Sequence, residues 1–176
     1  KDGVEVNQAN NDGETPLLIA LEFGHENVVK LLLGKDGVEV NKANKYGVTP
    51  LFRVVTHHAN VDNVKLLLGK GDVDVNKANN EGETPLLKAL QYGRLDVVKL
   101  LLGKDGVEVN KANNDGLTPL WIASLQGHQK VVELLLGKDG VEVNKANNDG
   151  KTPLWIASLH GHEEVVKLLT DKMGGY

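Results

Sequence analysis

Histidine is the residue type in this chain best suited to catalysis or metal binding, because the sequence contains six histidines and no cysteine. His57 and His58 are adjacent, so on one helix their side chains point about 100° apart and cannot chelate a metal as an i, i+4 pair does. The segment His162-Glu163-Glu164 lacks the second histidine of a zinc protease motif. The histidines therefore predict neither a metal site nor metal-dependent catalysis.

Two other segments resemble ligand-binding loops but lack the residues that define them. Residues 150–152, Gly-Lys-Thr, look like the end of a phosphate-binding loop, yet Lys145 stands where that loop requires glycine. Residues 147–150 are similar to part of a calcium-binding loop, but Lys145 replaces its first carboxylate and Ile156 its bidentate glutamate. The two serines lie in no Gly-x-Ser-x-Gly motif. We expect no enzyme activity and no cofactor.

Charge and hydropathy narrow the classes of partner. The 176 residues carry a formal net charge of −4, which argues against binding nucleic acid or an anionic membrane through bulk positive charge. The apolar runs are far shorter than the roughly 20 residues that span a bilayer. With no cysteine, no signal segment and no Asn-x-Ser/Thr site, we expect a cytoplasmic or nuclear protein, or an effector acting inside a host cell.

The chain repeats itself, and the repeats must position any functional side chain. A Thr-Pro pair recurs every 34 or 35 residues, and such a period is typical of a solenoid. By this phase the single domain, residues 1–176, consists of repeats 11–44, 45–79, 80–113, 114–147 and a shortened 148–176. Residues 1–10 are interpreted as the tail of a preceding repeat.

Each repeat predicts two helices and a loop. The threonine is a suitable N-cap, and proline fits the first helical position, where its missing N–H costs nothing. An apolar stretch ends at a glycine, which His25, His128 and His162 follow in three repeats. A Val-Val-x-Leu-Leu-Leu run then predicts a second helix, and a loop rich in Gly, Asn and Asp follows it. One helix pair cannot bury its apolar face alone, so neighbouring repeats must stack.

These residues resemble the ankyrin-repeat family. Gly-x-Thr-Pro-Leu, Ala, Gly-His, Val-Val-x-Leu-Leu-Leu and Val-Asn recur in phase over essentially the whole chain. The resemblance implies a repeat solenoid dominated by α-helix, in which antiparallel helix pairs stack and carry β-hairpin or loop fingers. It also implies a concave binding face formed by the fingers and the first helices. We call residues 11–14, 45–48, 80–83, 114–117 and 148–151 the fingers.

The sequence departs from the family pattern at three places, the first being one extra residue in the loop after the second helix, before Val-Asn. The family's histidine after Thr-Pro-Leu is replaced by apolar residues, so we expect apolar packing where the family has a polar link. The replacing residues are Leu18, Phe52, Leu87, Trp121 and Trp155. The second repeat lacks Gly-His, contains one extra residue in its inter-helix turn, and has Asn63 where the others have valine. We expect it to be the least stable repeat.

The resemblance also implies which side chains face a partner. In the family, the third residue after the proline and the residue four further along face the groove. The pairs here are Ile19 and Phe23, Arg53 and His57, Lys88 and Tyr92, Ile122 and Gln126, and Ile156 and His160.

Aromatic and basic residues cluster in repeats one to three, where Tyr46 adds a finger side chain. Because an unpaired buried charge is costly, Arg53 and Lys88 at positions held elsewhere by isoleucine predict an exposed groove. The predicted partner-binding residues are Phe23, Tyr46, Arg53, His57, Lys88, Tyr92, Gln126 and His160. The sequence therefore predicts a non-catalytic scaffold that binds another protein.

Two alternatives stay open. The near-identical last repeats also fit a structural or engineered scaffold without a natural ligand, although a pure consensus design would not have kept the irregular second repeat. The other alternative is a substrate of an asparaginyl hydroxylase, because Leu-x5-Glu/Asp-Val-Asn resembles the pattern modified on ankyrin proteins. Its candidate sites are Asn41, Asn76, Asn110 and Asn144. The family also gives these asparagines a structural role, and a mass gain of one oxygen per site in protein from native cells would distinguish the two.

The two ends of the array differ. Residues 170–172, Thr-Asp-Lys, replace Leu-Gly-Lys and predict a partial polar cap at the C-terminal end. The first repeat keeps the apolar pattern of an internal repeat, so its outer face is expected to be apolar. We therefore expect weak self-association through the face of the N-terminal repeat, either end to end or head to head.

Overall fold

The computed structural model describes residues 5–57 and 60–174, and this part of the chain contains ten α-helices in five antiparallel pairs. The first helices of the repeats are α1 Pro16–Glu22, α3 Pro50–Thr56, α5 Pro85–Gln91, α7 Pro119–Leu125 and α9 Pro153–Leu159. The second helices are α2 Glu26–Leu33, α4 Val61–Leu68, α6 Leu95–Leu102, α8 Gln129–Leu136 and α10 Glu163–Gly174. The predicted helical solenoid is confirmed.

Every first helix is capped at its N-terminus by the predicted threonine. Each threonine has an extended backbone, and its hydroxyl accepts a hydrogen bond from the backbone N–H three residues on, at 3.1–3.2 Å. Proline follows as the first helical residue. The cap satisfies a backbone donor that has no partner inside the helix.

Four of the second helices end at the glycine that follows their run of apolar residues. Gly34, Gly69, Gly103 and Gly137 are the C-caps of α2, α4, α6 and α8. The last second helix has Asp171 at the equivalent position and continues to Gly174. Losing the glycine therefore lengthens the final helix.

Stacking of successive repeats builds one core along the array. Each first helix packs on the first helix of the next repeat, and leucine, valine and isoleucine side chains fill the space between them. The residue after Thr-Pro-Leu is buried in repeats one to four, as expected for apolar packing. That expectation is wrong in one respect, because Trp121 Nε1 also donates a hydrogen bond to Lys151 O at 3.1 Å. The indole keeps a polar link between repeats four and five.

The fingers are closed turns rather than β-hairpins, since residues 5–57 and 60–174 contain no strand. The asparagine before each finger accepts hydrogen bonds from two backbone N–H groups inside it. Asn44 Oδ1, for example, accepts from Tyr46 N at 2.9 Å and from Val48 N at 3.0 Å. Two backbone bonds close that finger, from Asn44 N to Val48 O at 3.1 Å and from Gly47 N to Asn44 O at 3.0 Å, and no ladder extends beyond them. The side-chain amide replaces the hydrogen bonds that a strand ladder would make.

A second set of asparagines joins the loops that follow the second helices. Asn76 Nδ2 donates to Gly106 O at 2.7 Å, and its Oδ1 accepts from Glu108 N at 2.8 Å. Asn41 and Asn110 make the same two bonds to the next loop, which supports the structural role implied by the family. Asn144 is exposed and makes neither bond within the described residues. Hydroxylation of these side chains stays a prediction.

The second repeat shows the predicted irregularity. Four residues separate α3 from α4, whereas three separate α1 from α2, so the extra residue lies in the inter-helix turn. Two of these four, His58 and Ala59, lie outside the described residues. Asn63 is 1% exposed, and its Oδ1 finds no hydrogen-bond partner among the described residues. A buried, unsatisfied carbonyl disfavours the folded state of this repeat.

We therefore predict that Asn63→Val stabilises the protein by about 1–3 kcal/mol, the usual cost of one unpaired buried polar group. In the unmodified protein, amide hydrogen exchange should be fastest, among internal helices, in residues 50–57 and 60–68. The substitution should slow that exchange. Asn60→Ala is the opposite control, since Asn60 Oδ1 caps α4 by accepting from Asp62 N and Asn63 N. A less stable Asn63→Val protein, or uniform protection across repeats two to four, would contradict the prediction.

A second prediction concerns the close approach of repeats four and five. Gly127 and Gly161 have the same left-handed backbone, with φ of +68° and +69°. A Cβ on Gly127 would lie 2.6 Å from His162 Nδ1, whereas one on Gly161 would meet no atom within 4 Å. Both alanine substitutions should cost about 1–2 kcal/mol for the backbone, and Gly127→Ala should cost more because it pushes His162 away. Urea unfolding measures the free energy of unfolding of both variants. If the two substitutions lower it equally, the stacking of repeats four and five tolerates the methyl group.

Candidate functional site

A row of exposed side chains runs along the stack, one at the end of each first helix. We call this row the ridge. It consists of Phe23, His57, Tyr92, Gln126 and His160, all of them exposed. The side chains stand immediately after α1, α3, α5, α7 and α9, where the chain turns towards the second helix. Because every repeat turns at the same point, the ridge is regular even though its residue types differ.

Two aromatic residues of the ridge are large and accessible. Phe23 is 63% exposed and Tyr92 is 53% exposed. The Phe23 ring stacks on His25 with the ring centres 6.1 Å apart. The Arg94 guanidinium lies 5.5 Å from the Tyr92 ring centre. Both rings are therefore supported on one side and open on another, which lowers the entropy that a binding partner would have to remove.

The positions one helical turn before the ridge do not face open solvent, contrary to expectation. Ile122 and Ile156 are buried, and Arg53 is only 8% exposed. Ile19 is more accessible, and no repeat precedes it within the described residues. The positions lie between successive first helices, so the neighbouring repeat covers them. A charge at such a position is therefore no sign of exposure.

Arg53 is buried because it is paired across the interface of repeats one and two. Its guanidinium nitrogen Nη2 lies 2.6 Å from Glu14 Oε1, and Nη1 lies 3.7 Å from Glu22 Oε2. Glu14 Oε1 also accepts a hydrogen bond from Asn44 Nδ2 at 2.7 Å. The ion pair compensates part of the cost of removing both charges from water. Its position assigns Arg53 to the joint between repeats rather than to an accessible binding surface.

Lys88 has a partner within its own repeat. Its Nζ lies 2.7 Å from Glu83 Oε1 and donates to Gln91 Oε1 at 3.0 Å. The lysine side chain is mostly covered, so the expectation that it stands free in the groove is also wrong. The sequence does contain a signal for the burial of these two cations, at the fourth position of the fingers. Glutamate occurs there only at Glu14 and Glu83, the partners of these two cations.

The finger tips carry one aromatic residue and several charges. Tyr46 is exposed, and Lys45 Nζ lies 5.0 Å from its ring centre and 2.5 Å from Asp12 Oδ1. The hydrogen bond to Asp12 raises the pKa of Lys45 above its usual value of 10.5. Glu81 and Asp115, at the tips of the third and fourth fingers, are exposed and form no ion pair within the described residues. The exposed residues of the ridge and fingers thus combine aromatic rings with carboxylates that form no ion pair within the described ranges.

Six of the predicted partner-binding residues, at ridge and finger positions, are exposed. They are Phe23, Tyr46, His57, Tyr92, Gln126 and His160. His57 is described, whereas the adjacent His58 is not. Among the described residues, no three His, Asp or Glu side chains are grouped so that they could hold a metal ion. No helix in the described ranges is both long and apolar enough to cross a membrane.

Comparison with known proteins gives one result. A family model described as "Ankyrin repeats (3 copies)" matches residues 2–77, 36–113, 57–147 and 106–175. These overlapping matches span nearly all of the chain. No curated protein matches the sequence.

The structure changes the expected outcome of substitution at Arg53. We predict that Arg53→Ala destabilises the protein by about 3 kcal/mol, because it leaves the Glu14 carboxylate covered and unpaired. The double substitution Glu14→Leu with Arg53→Ile should recover most of this loss. It copies the residues at the equivalent positions of repeats four and five, Leu117 and Ile156. Urea unfolding monitored by circular dichroism measures both effects.

Tyr92→Ala is the matched control, since removing an exposed ridge side chain should change the free energy of unfolding by no more than about 0.5 kcal/mol. An Arg53→Ala protein as stable as the Tyr92→Ala protein would mean that the ion pair contributes nothing. A double variant no more stable than Arg53→Ala would mean that packing, not the unpaired charge, causes the loss.

Proposed function

Because the chain belongs to the ankyrin-repeat family, we propose that it is a non-catalytic scaffold that binds another protein along its ridge. Ankyrin repeats are generally protein–protein interaction modules, and the family is typically non-enzymatic. The observation that carries the proposal is the ridge itself, an ordered row of exposed side chains with one member from each repeat. A partner lying along the stack can contact all five repeats at once.

Phe23 and Tyr92 are the proposed anchors. Large aromatic side chains supply much of the binding energy in protein interfaces, and they do so best when their conformation is restricted beforehand. The stacking of Phe23 on His25 and of Arg94 on Tyr92 provides this restriction. The remaining ridge positions His57, Gln126 and His160 supply polar contacts. Arg53 is excluded from the proposed contact surface because repeat one covers it.

The charges of the fingers favour a partner with basic residues beside its apolar ones. Asp12 is paired with Lys45 and Glu83 with Lys88, whereas Glu81 and Asp115 have no cationic partner in the part of the chain that the structure describes. The chain as a whole carries a formal net charge of −4. Complementary charge would speed the encounter and fix its orientation more than it would strengthen the complex.

We predict that peptides selected from a random display library on the immobilised protein bind through the ridge. The substitutions Phe23→Ser with Tyr92→Ala should weaken these peptides at least about tenfold, because interface anchors contribute about 2 kcal/mol or more each. Calorimetric titration measures the affinities. The enriched sequences should combine aromatic or apolar residues with lysine or arginine.

Leu31→Ala with Leu134→Ala provides the matched control, since it removes two exposed leucines from second helices, away from the ridge. The control should bind the peptides as the unmodified protein does. Equal affinity for the ridge variant would place binding elsewhere and overturn the proposal. A library that yields no enrichment would also count against a peptide-binding ridge.

A further inference from the structure

Three loops and three fingers contain an aspartate that is followed directly by glycine. The loop pairs follow second helices and are Asp36-Gly37, Asp105-Gly106 and Asp139-Gly140. The finger pairs are Asp12-Gly13, Asp115-Gly116 and Asp149-Gly150. All six aspartates are exposed, and all six glycines have a left-handed backbone with φ between +73° and +78°. The two groups are therefore alike in the exposure of the aspartate and in the φ of the glycine.

An Asp-Gly pair can rearrange through its own backbone. The glycine nitrogen attacks Cγ of the aspartate, a C–N bond forms, and the carboxyl hydroxyl leaves with the N–H proton as water. Water then opens the five-membered succinimide at either carbonyl. Opening at the main-chain carbonyl leaves the glycine attached through Cγ, which is an isoaspartate with one extra methylene in the backbone. Glycine favours the attack because it has no Cβ to obstruct it.

The loops and the fingers differ at the nitrogen that must attack. In the fingers each glycine N–H donates to a backbone carbonyl, from Gly13 to Asn10 O at 2.9 Å, from Gly116 to Asn113 O at 3.0 Å and from Gly150 to Asn147 O at 3.0 Å. In the loops the N–H groups of Gly37, Gly106 and Gly140 donate to no acceptor within the described residues. A bonded N–H has to leave its acceptor before the nitrogen can attack, so the finger pairs should react more slowly.

The space around the glycines distinguishes the hydrogen bond from close packing as the cause. A Cβ on Gly13 would lie 3.0 Å from Asn44 Cα, whereas one on any of the three loop glycines would meet no atom within 4 Å. Gly150 combines the two properties, because its N–H is bonded although a Cβ there would also meet no atom within 4 Å. Asp149 is therefore the finger residue that tests the hydrogen bond alone.

The loop glycines also hold successive repeats together. Gly106 O accepts from Asn76 Nδ2 at 2.7 Å, and Glu108 N donates to Asn76 Oδ1 at 2.8 Å. The same two bonds join Asn7 to Gly37 O and Glu39 N, and Asn110 to Gly140 O and Glu142 N. An extra methylene directly before Gly106 would displace its carbonyl from Asn76. Rearrangement in a loop therefore acts on the joint between two repeats.

We propose that Asp36, Asp105 and Asp139 are modification sites at which isoaspartate forms spontaneously, and that the change detaches each loop from the asparagine of the preceding repeat. The reaction releases one water and takes up another, so it requires no enzyme and no cofactor. The loop of repeat two is exempt, because it has the reverse order Gly71-Asp72 and the β-branched Val73 follows the aspartate. This inference does not depend on the proposed binding function of the ridge.

Incubation of the folded protein at neutral pH tests the proposal. Peptide mapping with electron-transfer dissociation distinguishes isoaspartate from aspartate of equal mass at each of the six sites. The same incubation in urea gives the rate of each site without the fold. Relative to its rate in urea, each loop aspartate should convert at least about fivefold faster than each finger aspartate, the factor that corresponds to one hydrogen bond of about 1 kcal/mol. Asp149 should be as slow as the other finger aspartates.

Two variants separate the chemistry from the fold. Asp105→Glu keeps the charge and copies the Glu81-Gly82 pair of the third finger, and it should not convert because a larger ring would have to form. Asn113→Ala should raise the rate at Asp115, because Asn113 Oδ1 holds this finger by accepting from Asp115 N and Leu117 N at 3.1 and 2.9 Å. Circular dichroism verifies that both variants are folded.

The effect on the joint is measured at the amide of Glu108, whose N–H the Asn76 side chain accepts. After Asp105 has converted, hydrogen exchange of this amide, followed by NMR, should be at least about fivefold faster. The Asp105→Glu protein, incubated in the same way, should show no change. Asp74 N–H is the internal control, since it donates to Asn41 Oδ1 at 2.8 Å in the loop that has no Asp-Gly pair.

Several outcomes would overturn the proposal. If the loop aspartates convert in urea but not in the folded protein, or convert no faster than the finger aspartates, the fold protects them. A fast Asp149, or an unchanged Asp115 in the Asn113→Ala protein, would show that the hydrogen bond of the glycine does not determine the rate. An unchanged Glu108 amide after conversion of Asp105 would show that the joint tolerates the extra methylene.

Discussion

The contact between successive repeats is the constraint on which the rest of the structure depends. Each repeat has two apolar sides, because residues such as Trp121 pack forward and residues such as Val131 pack backward. One helix pair buries neither side alone, so a repeat is stable only between neighbours. The same joint orders the fingers through their backbone hydrogen bonds and spaces the ridge at one side chain per repeat. Thus the proposed binding surface inherits its regularity from the core.

The fold could be predicted from the sequence because the signals that determine it are local and repeated. The Thr-Pro pair marks the start of every first helix, and the glycine after Val-Val-x-Leu-Leu-Leu ends every second helix but the last. The form of the fingers could not be read in this way. The family resemblance implies β-hairpin or loop fingers, whereas asparagines such as Asn44 satisfy the backbone from their side chains and leave no strand ladder to form.

The site was only partly predictable, and the failure at Arg53 has a physical cause. A charged residue in place of isoleucine predicts exposure when the residue is considered alone. The partner that makes burial possible, Glu14, lies 39 residues earlier and belongs to another repeat. The ridge residues were predictable because their exposure depends on where the chain turns, which is the same in each repeat. The burial of Arg53 depends instead on its ion pair with Glu14, which is evident only when two repeats are stacked on each other.

The Arg53–Glu14 pair has a consequence for an array of nearly identical joints. Because repeats four and five are almost the same, apolar packing alone distinguishes poorly between correct and shifted stacking. Placing the second repeat on the fourth would bring Arg53 to Leu117, which cannot accept its hydrogen bonds, and would bury an unpaired charge. The pair therefore disfavours this shifted order.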